Sequence, residues 1–152
     1  MDILFTHSYF YKFDAKQWGF KQPYPPLGTI LAASVMREEG FSVALTDTAL
    51  ADGPDIIHPV IKQETPKYLV VYDDGFNYLT KMCLTTMREA AFEMMKMGKD
   101  QGCTVMVCSS DSTDHYEKYL ESGADFVLLG EGEVTLKNLI NCLENDLPFD
   151  SI

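Results

Sequence analysis

Basic residues are scarce in this chain. Only 12 of its 152 residues are lysine or arginine, against 23 aspartates and glutamates, and the formal net charge is −11. Nucleic-acid affinity comes mainly from neutralised phosphates, so this balance argues against such a partner. It disfavours an anionic membrane surface for the same reason. No apolar run approaches the roughly 18 residues a membrane-spanning helix needs, and no signal peptide opens the chain. The four cysteines (Cys83, Cys103, Cys108, Cys142) contain no CxxC pair and no zinc spacing. They read as reduced, small, buried residues of a cytoplasmic protein. Internal repeats and low-complexity tracts are missing too.

What the chain does have is a fivefold alternation of short apolar runs and amphipathic segments. The runs are Asp2–Thr6, Phe41–Asp47, Lys67–Tyr72, Thr104–Cys108 and Asp125–Leu129. Each reads as a strand buried on both faces, which predicts a parallel sheet with right-handed crossovers, a doubly wound α/β fold in three layers. Helices are expected from Leu27 to about Glu39, Asp55 to Gln63, Thr80 to Gln101, Asp114 to Ser122 and Val134 to Leu143. In the first of these, Leu27, Ile30, Leu31, Ser34 and Val35 keep the spacing of an amphipathic stripe, and Gly40 ends it as a left-handed cap. Asp114 reads as an N-cap with Glu117 completing a capping-box-like pair. Cys83, Met87, Ala90, Ala91 and Met94 form a core stripe on the longest helix. The stretch from His7 to Pro26 is long, irregular and rich in aromatics, the kind of loop that is usually functional.

In such folds ligands sit beyond the carboxyl ends of the strands, near the switch point of the sheet. With strand order 2-1-3-4-5, the loops His7–Pro26 and Asp73–Tyr78 border that point, and Ser109–Thr113 and Gly130–Glu133 extend the edge. Gly130-Glu131-Gly132-Glu133 is the organising stretch. It joins the last strand to the last helix, and glycines let a backbone approach something bulky closely.

The loops also exclude chemistries. The run His7-Ser8-Tyr9-Phe10-Tyr11 after the first strand is not a Ser/Thr/Gly-rich phosphate loop, so flavin-mononucleotide binding of the flavodoxin type is weakly supported, and no GxGxxG stands there. A phosphoacceptor receiver would need an acidic pair after strand one and a lysine after strand five; only Asp73, after strand three, fits. His58 and His115 read as surface residues, whereas His7 ends strand one where a ligand could reach it. The hydroxyls of Ser109, Ser110, Ser112 and Thr113 have no evident activating base, which argues against nucleophilic catalysis. They either bond a polar ligand or cap backbone.

Several of these elements together resemble a known family. Pro25-Pro26-Leu27-Gly28 opens the first long helix, Gly40-Phe41-Ser42-Val43 leads into strand two with Asp47-Thr48 at its end, and Gly130-Glu131-Gly132-Glu133 precedes Thr135. In this order and spacing they resemble the N-terminal cobalamin-binding domain of B12-dependent radical SAM enzymes, over nearly the whole chain. The resemblance implies a flavodoxin-like, Rossmann-like sheet of order 2-1-3-4-5 with the corrinoid over its C-terminal edge. It implies cofactor contacts from His7, Ser8, Tyr9, Pro26, Leu27, Gly28, Asp73, Gly75, Phe76, Asn77, Ser109, Ser110, Ser112, Thr113, Gly130, Glu131, Gly132 and Glu133. Gly130 and Gly132 would admit the nucleotide tail, and the aromatic loop Tyr9–Tyr24 would cover the ring.

Two departures shape the expectation. After strand four the family commonly carries a Gly-Gly-x-His-Pro-Thr-like run; this chain has Ser109-Ser110-Asp111-Ser112-Thr113-Asp114, where Asp111 and Asp114 disfavour a phosphate. The Asp-x-His-x-x-Gly run that ligates cobalt in other B12 domains is missing, so binding is expected base-off and without a histidine ligand. The Cys-x3-Cys-x2-Cys loop that holds the family's 4Fe-4S cluster and cleaves S-adenosylmethionine is also missing. Residues 1–146 are therefore expected to be the cobalamin-binding unit, and residues 147–152 the start of a linker to a C-terminal radical SAM domain elsewhere in the parent protein. That parent would be an iron–sulfur enzyme, plausibly a methyltransferase. The competing expectation is a corrinoid-free docking or regulatory module on the same fold.

Overall fold

The computed structural model describes residues 1–20, 22–73, 85–150 and 152, together with the backbone of Leu84. Five strands form one sheet: β1 (Ile3–Thr6), β2 (Val43–Thr46), β3 (Tyr68–Tyr72), β4 (Thr104–Cys108) and β5 (Phe126–Leu128). The order is β2-β1-β3-β4-β5 and every pairing is parallel. This is the flavodoxin-like doubly wound fold, with its switch point between β1 and β3.

Period-two alternation along the strands divides the core into two layers. Ile3, Phe5, Tyr68, Val70, Tyr72, Met106, Cys108 and Leu128 pack against α2 (Leu27–Glu38) and α7 (Glu133–Glu144). On the other face, Leu4, Leu69, Val71, Val105 and Val107 meet α3 (Ile57–Glu64), α4 (Leu84–Asp100) and Tyr119 of α6 (Tyr116–Glu121). The methionine-bearing stripe of α4 is core: Met87, Ala90, Ala91 and Met94 are buried, while Cys83 lies outside the described residues. Gly98 lets α4 approach the sheet, since a methyl there would meet Leu69 Cδ2 at 2.5 Å. Cys103, Cys108 and Cys142 are buried and unbridged.

Three local expectations are corrected. The first concerns α2. Its inner face is Gly28, Thr29, Ala32, Ala33 and Met36, whereas Leu27, Ile30 and Leu31 are 53%, 39% and 47% exposed. Small residues bring this helix close to the sheet, where the Thr29 hydroxyl donates to the Tyr72 carbonyl at 2.6 Å. The large residues are thereby turned outward, toward the sheet edge.

The second concerns the stretch after β4. It is a helix, α5 (Ser110–Asp114), and its N-cap is Ser109, not Asp114. Ser109 and Ser112 form a reciprocal capping box, each side chain accepting from the other's backbone N–H at 2.8 and 2.9 Å. The following helix starts after His115 without a side-chain cap.

The third concerns residues 7–26. They contain a 3-10 turn at Tyr11–Phe13 and the short helix α1 (Ala15–Phe20). Tyr9, Phe10 and Tyr11 are buried in the core, and Tyr9 stacks on Tyr24 with ring centroids 5.5 Å apart.

His7 and Thr48 clamp the ends of β1 and β2. The Thr48 hydroxyl donates to the His7 carbonyl at 2.7 Å, and the Thr48 N–H donates to His7 Nε2 at 3.2 Å. Both residues are buried. Thr48→Val keeps the shape and orphans the His7 carbonyl, so it is expected to cost about 1–2 kcal/mol in urea unfolding, with an unchanged m-value.

Candidate functional site

Four junctions at the carboxyl end of the sheet enclose a cleft of about 400 Å³. Gly28 and Leu31 come from α2, Tyr72 and Asp73 from the end of β3, Cys108, Ser109 and Ser110 from the β4–α5 junction, and Gly130, Glu131 and Glu133 from the turn into α7. The size is that of an ordinary small-molecule site. A second void, about 20 Å³, lies behind it and shares Asp73, Ser109 and Ser110 with it. That is room for one water.

The two glycines of the organising turn have different jobs. Gly130 has φ +74°, and a side chain there would point into open space. It supplies the left-handed turn and leaves the mouth of the cleft clear. Gly132 precedes α7, and a methyl there would lie 2.4 Å from Cys108 Sγ and 2.9 Å from the Tyr72 ring and hydroxyl. It is a packing glycine that seats the N-terminus of α7 on the ends of β3 and β4.

Tyr72 and Cys108 make the apolar floor. Burial pushes the Tyr72 phenol well above its ordinary value, with Cys108 and Glu133 adding to it. Burial likewise pushes the Cys108 thiol up to about 12. At neutral pH Cys108 is a neutral thiol, which is a packing group and not a thiolate ligand.

Asp73 accepts from the Ser8 N–H at 2.6 Å and from the Ser8 hydroxyl at 2.8 Å. Asp111, behind it, is held by Arg88 through two bonds of 2.7 and 2.6 Å and by the Tyr119 hydroxyl at 2.8 Å. The charge that would repel a phosphate is therefore paired with a guanidinium inside the fold.

Of the eighteen residues expected at the site, Gly28, Asp73, Ser109, Ser110, Gly130, Glu131 and Glu133 line the cleft. Ser8 and Tyr9 line the smaller void behind it. Pro26 and Leu27 stand at the start of α2, with Leu27 exposed beside the mouth. His7 is turned into the β1–β2 clamp, where Asp47 Oδ1 lies 2.9 Å from its Nε2. Ser112 and Thr113 spend their hydroxyls on the Ser109 carbonyl, and Thr113 also accepts from the Gly130 N–H at 3.3 Å. Gly132 lies under the turn. Gly75, Phe76 and Asn77 fall outside the described residues. Leu31, Tyr72 and Cys108 are additions that the loop-based reading passed over.

No protein-family model matches the chain, and no curated protein matches it. A solved structure shares its architecture. It is that of the cobalamin-dependent S-adenosylmethionine radical enzyme OxsB, with aqua-cobalamin and S-adenosylmethionine bound. The two superpose with a TM-score of 0.68 over 98% of this chain, at 18% sequence identity. This chain spans 19% of the length of that enzyme. At such identity the likeness is one of fold: the whole chain corresponds to one part of a larger protein, with the same layered arrangement. Among the described residues no helix is long and apolar enough to cross a membrane.

Proposed function

We propose that this chain is a cobalamin-binding domain of a B12-dependent radical SAM enzyme, holding the corrinoid over the C-terminal edge of its sheet. The observation that carries the reading is the cleft itself: about 400 Å³, at the rim where four loops converge, with an open glycine turn at its mouth. It is too small for a whole corrinoid and suits the nucleotide tail. Leu31, Tyr72 and Cys108 offer apolar walls to a flat base, while Asp73, Ser110, Glu131 and Glu133 offer acceptors to hydroxyl and amide N–H groups. Leu27, Ile30 and Leu31 leave an apolar shoulder on α2 beside the mouth, where the macrocycle has room to rest.

No histidine lines the cleft among the described residues, which supports binding that is base-off and free of a histidine ligand. Bound cobalamin supplies a cobalt centre able to carry a methyl group. This chain binds and orients it. In the proposed parent, residues 1–146 form the corrinoid unit and residues 147–152 lead toward a C-terminal radical SAM domain, which brings the 4Fe-4S cluster and S-adenosylmethionine in a cytoplasmic methyltransferase. The neighbour's greater length and its S-adenosylmethionine support that arrangement.

One observation favours the second reading, a corrinoid-free docking or regulatory module. The hydroxyls of Ser109, Ser112 and Thr113 are consumed in capping α5 and bracing the Gly130 turn. Titration with hydroxocobalamin, followed by gel filtration, separates the two. Co-elution with a base-off absorption band is the expected result. An unchanged spectrum and a colourless protein peak would leave the docking module standing.

A further inference from the structure

Asp73 stands at the end of β3, on the boundary between the cleft and the water-sized void. Its carboxyl forms no ion pair among the described residues, because the nearby Arg88 guanidinium is taken by both oxygens of Asp111. Ser8 holds it instead, through one bond to each oxygen. Those two bonds fix the carboxyl, and the described residues leave acceptor capacity on both oxygens, since a carboxylate has about four acceptor sites. That capacity is open to the cavities Asp73 lines. Burial raises the carboxyl above its ordinary value; the two Ser8 bonds and His7 oppose this, and Asp111 adds to it.

The remaining lining is consistent with this chemistry. Glu131 and Glu133 stand at the mouth, and among the described residues no lysine, arginine or histidine lines the cleft. A wall of carboxylates that accept hydrogen bonds favours the donor-bearing part of a ligand and repels phosphate.

We propose that Asp73, fixed by Ser8, is a specificity-determining residue that accepts a hydrogen bond from a sugar hydroxyl of the ligand's tail. The cleft thus takes the nucleoside end and leaves the phosphodiester outside at the rim. This rests on the corrinoid reading, which supplies the nucleotide tail.

The test compares two corrinoids on the purified chain by absorbance titration: hydroxocobalamin, and diaquocobinamide, which has the same macrocycle without the nucleotide. The unaltered chain is expected to bind cobalamin at least about tenfold more tightly than cobinamide. Asp73→Asn keeps the shape, removes the charge and replaces one acceptor by a donor. It is expected to weaken cobalamin about tenfold and leave cobinamide unchanged, the loss of one charge-assisted bond. Cobinamide binding by the same variant shows that its fold is intact. Ser8→Ala, which removes the hydroxyl bond to Oδ2 and keeps the backbone N–H bond to Oδ1, is expected to show a smaller loss of the same selectivity. Equal loss for both corrinoids, or no loss for either, overturns the assignment of Asp73 alone. An unaltered chain that binds neither corrinoid overturns the cobalamin reading, and this assignment with it.

Discussion

Replacing Gly132 by alanine is expected to destabilise the domain by about 2–3 kcal/mol and to lower its melting midpoint by roughly 5–10 °C. The added methyl would lie 2.4 Å from Cys108 Sγ and 2.9 Å from two atoms of Tyr72. Neither neighbour can swing away: Cys108 is 4% exposed and Tyr72 is 5% exposed, and both are packed under α2 and α7. The helix must lift instead, and its start is one wall of the cleft. Gly130→Ala provides the contrast. Its methyl meets open space, so its cost is the left-handed backbone alone, about 1–2 kcal/mol at φ +74°. Cys108→Ala removes the closest atom, and the double variant Gly132→Ala/Cys108→Ala is expected to recover part of the loss. Thermal unfolding of the parent and the four variants decides the matter. A Gly132→Ala protein as stable as its parent would mean that α7 does not start against the floor residues, and the cleft as described would not exist.

The sheet was legible because its strands are short, apolar and separated by amphipathic segments, a pattern few other folds tolerate. The placement of four loops on one edge follows from that alternation and from the handedness of parallel crossovers, whereas the order 2-1-3-4-5 comes from the family resemblance, because the alternation fits other doubly wound orders equally well. The face of α2 was not legible from spacing. Leucine and isoleucine at helical intervals normally mark the core side, but Gly28, Ala32 and Ala33 are smaller, and the tight approach they allow outweighs the larger apolar stripe. Hydrophobic residues left outside in this way mark the rim of a site, as Leu27 and Leu31 do here. The capping of α5 was misplaced for a different reason. Serine at 109 competes with aspartate at 114 for the same role, and only the chain reversal after β4 decides between them. Tyr72 and Cys108 line the cleft from the ends of strands, outside the loops whose motifs mark the site. Strand parity held the signal: both share a face with Tyr68, Val70 and Met106, under α2 and α7, and each ends its strand.

Arg88→Met is expected to cost about 3–5 kcal/mol at neutral pH, more than any other single substitution away from the hydrophobic core. Arg88 lies on α4 and Asp111 on α5; their side chains are 15% and 8% exposed and meet through two parallel bonds. Removing the cation leaves a carboxylate in a nearly closed environment with Tyr119 as its one close side-chain donor among the described residues and His115 Nε2 3.9 Å away. Burial alone would push the Asp111 carboxyl up, but the bonds from Arg88 and Tyr119 outweigh it and hold it below its ordinary 3.8. A depressed carboxyl contributes stability that is present above the unfolded-state value and is lost as pH falls through the folded value. The difference between the parent and Arg88→Met is therefore expected to be full above the pH at which the variant's Asp111 ionises, which burial unopposed by Arg88 raises above the parent's, and to shrink as pH falls from there toward the parent's folded value. Asp73 runs the other way. Its raised carboxyl favours the folded state below the ordinary 3.8, and that contribution fades as pH rises through its folded value, so it does not mimic the Arg88 signature. Urea titrations of both proteins between about pH 2 and pH 8 give the comparison. A stability difference that stays constant over that range, or one below about 1 kcal/mol at neutral pH, would mean that the pair is solvated and that the wall formed by Ser109 and Ser110 stands without it.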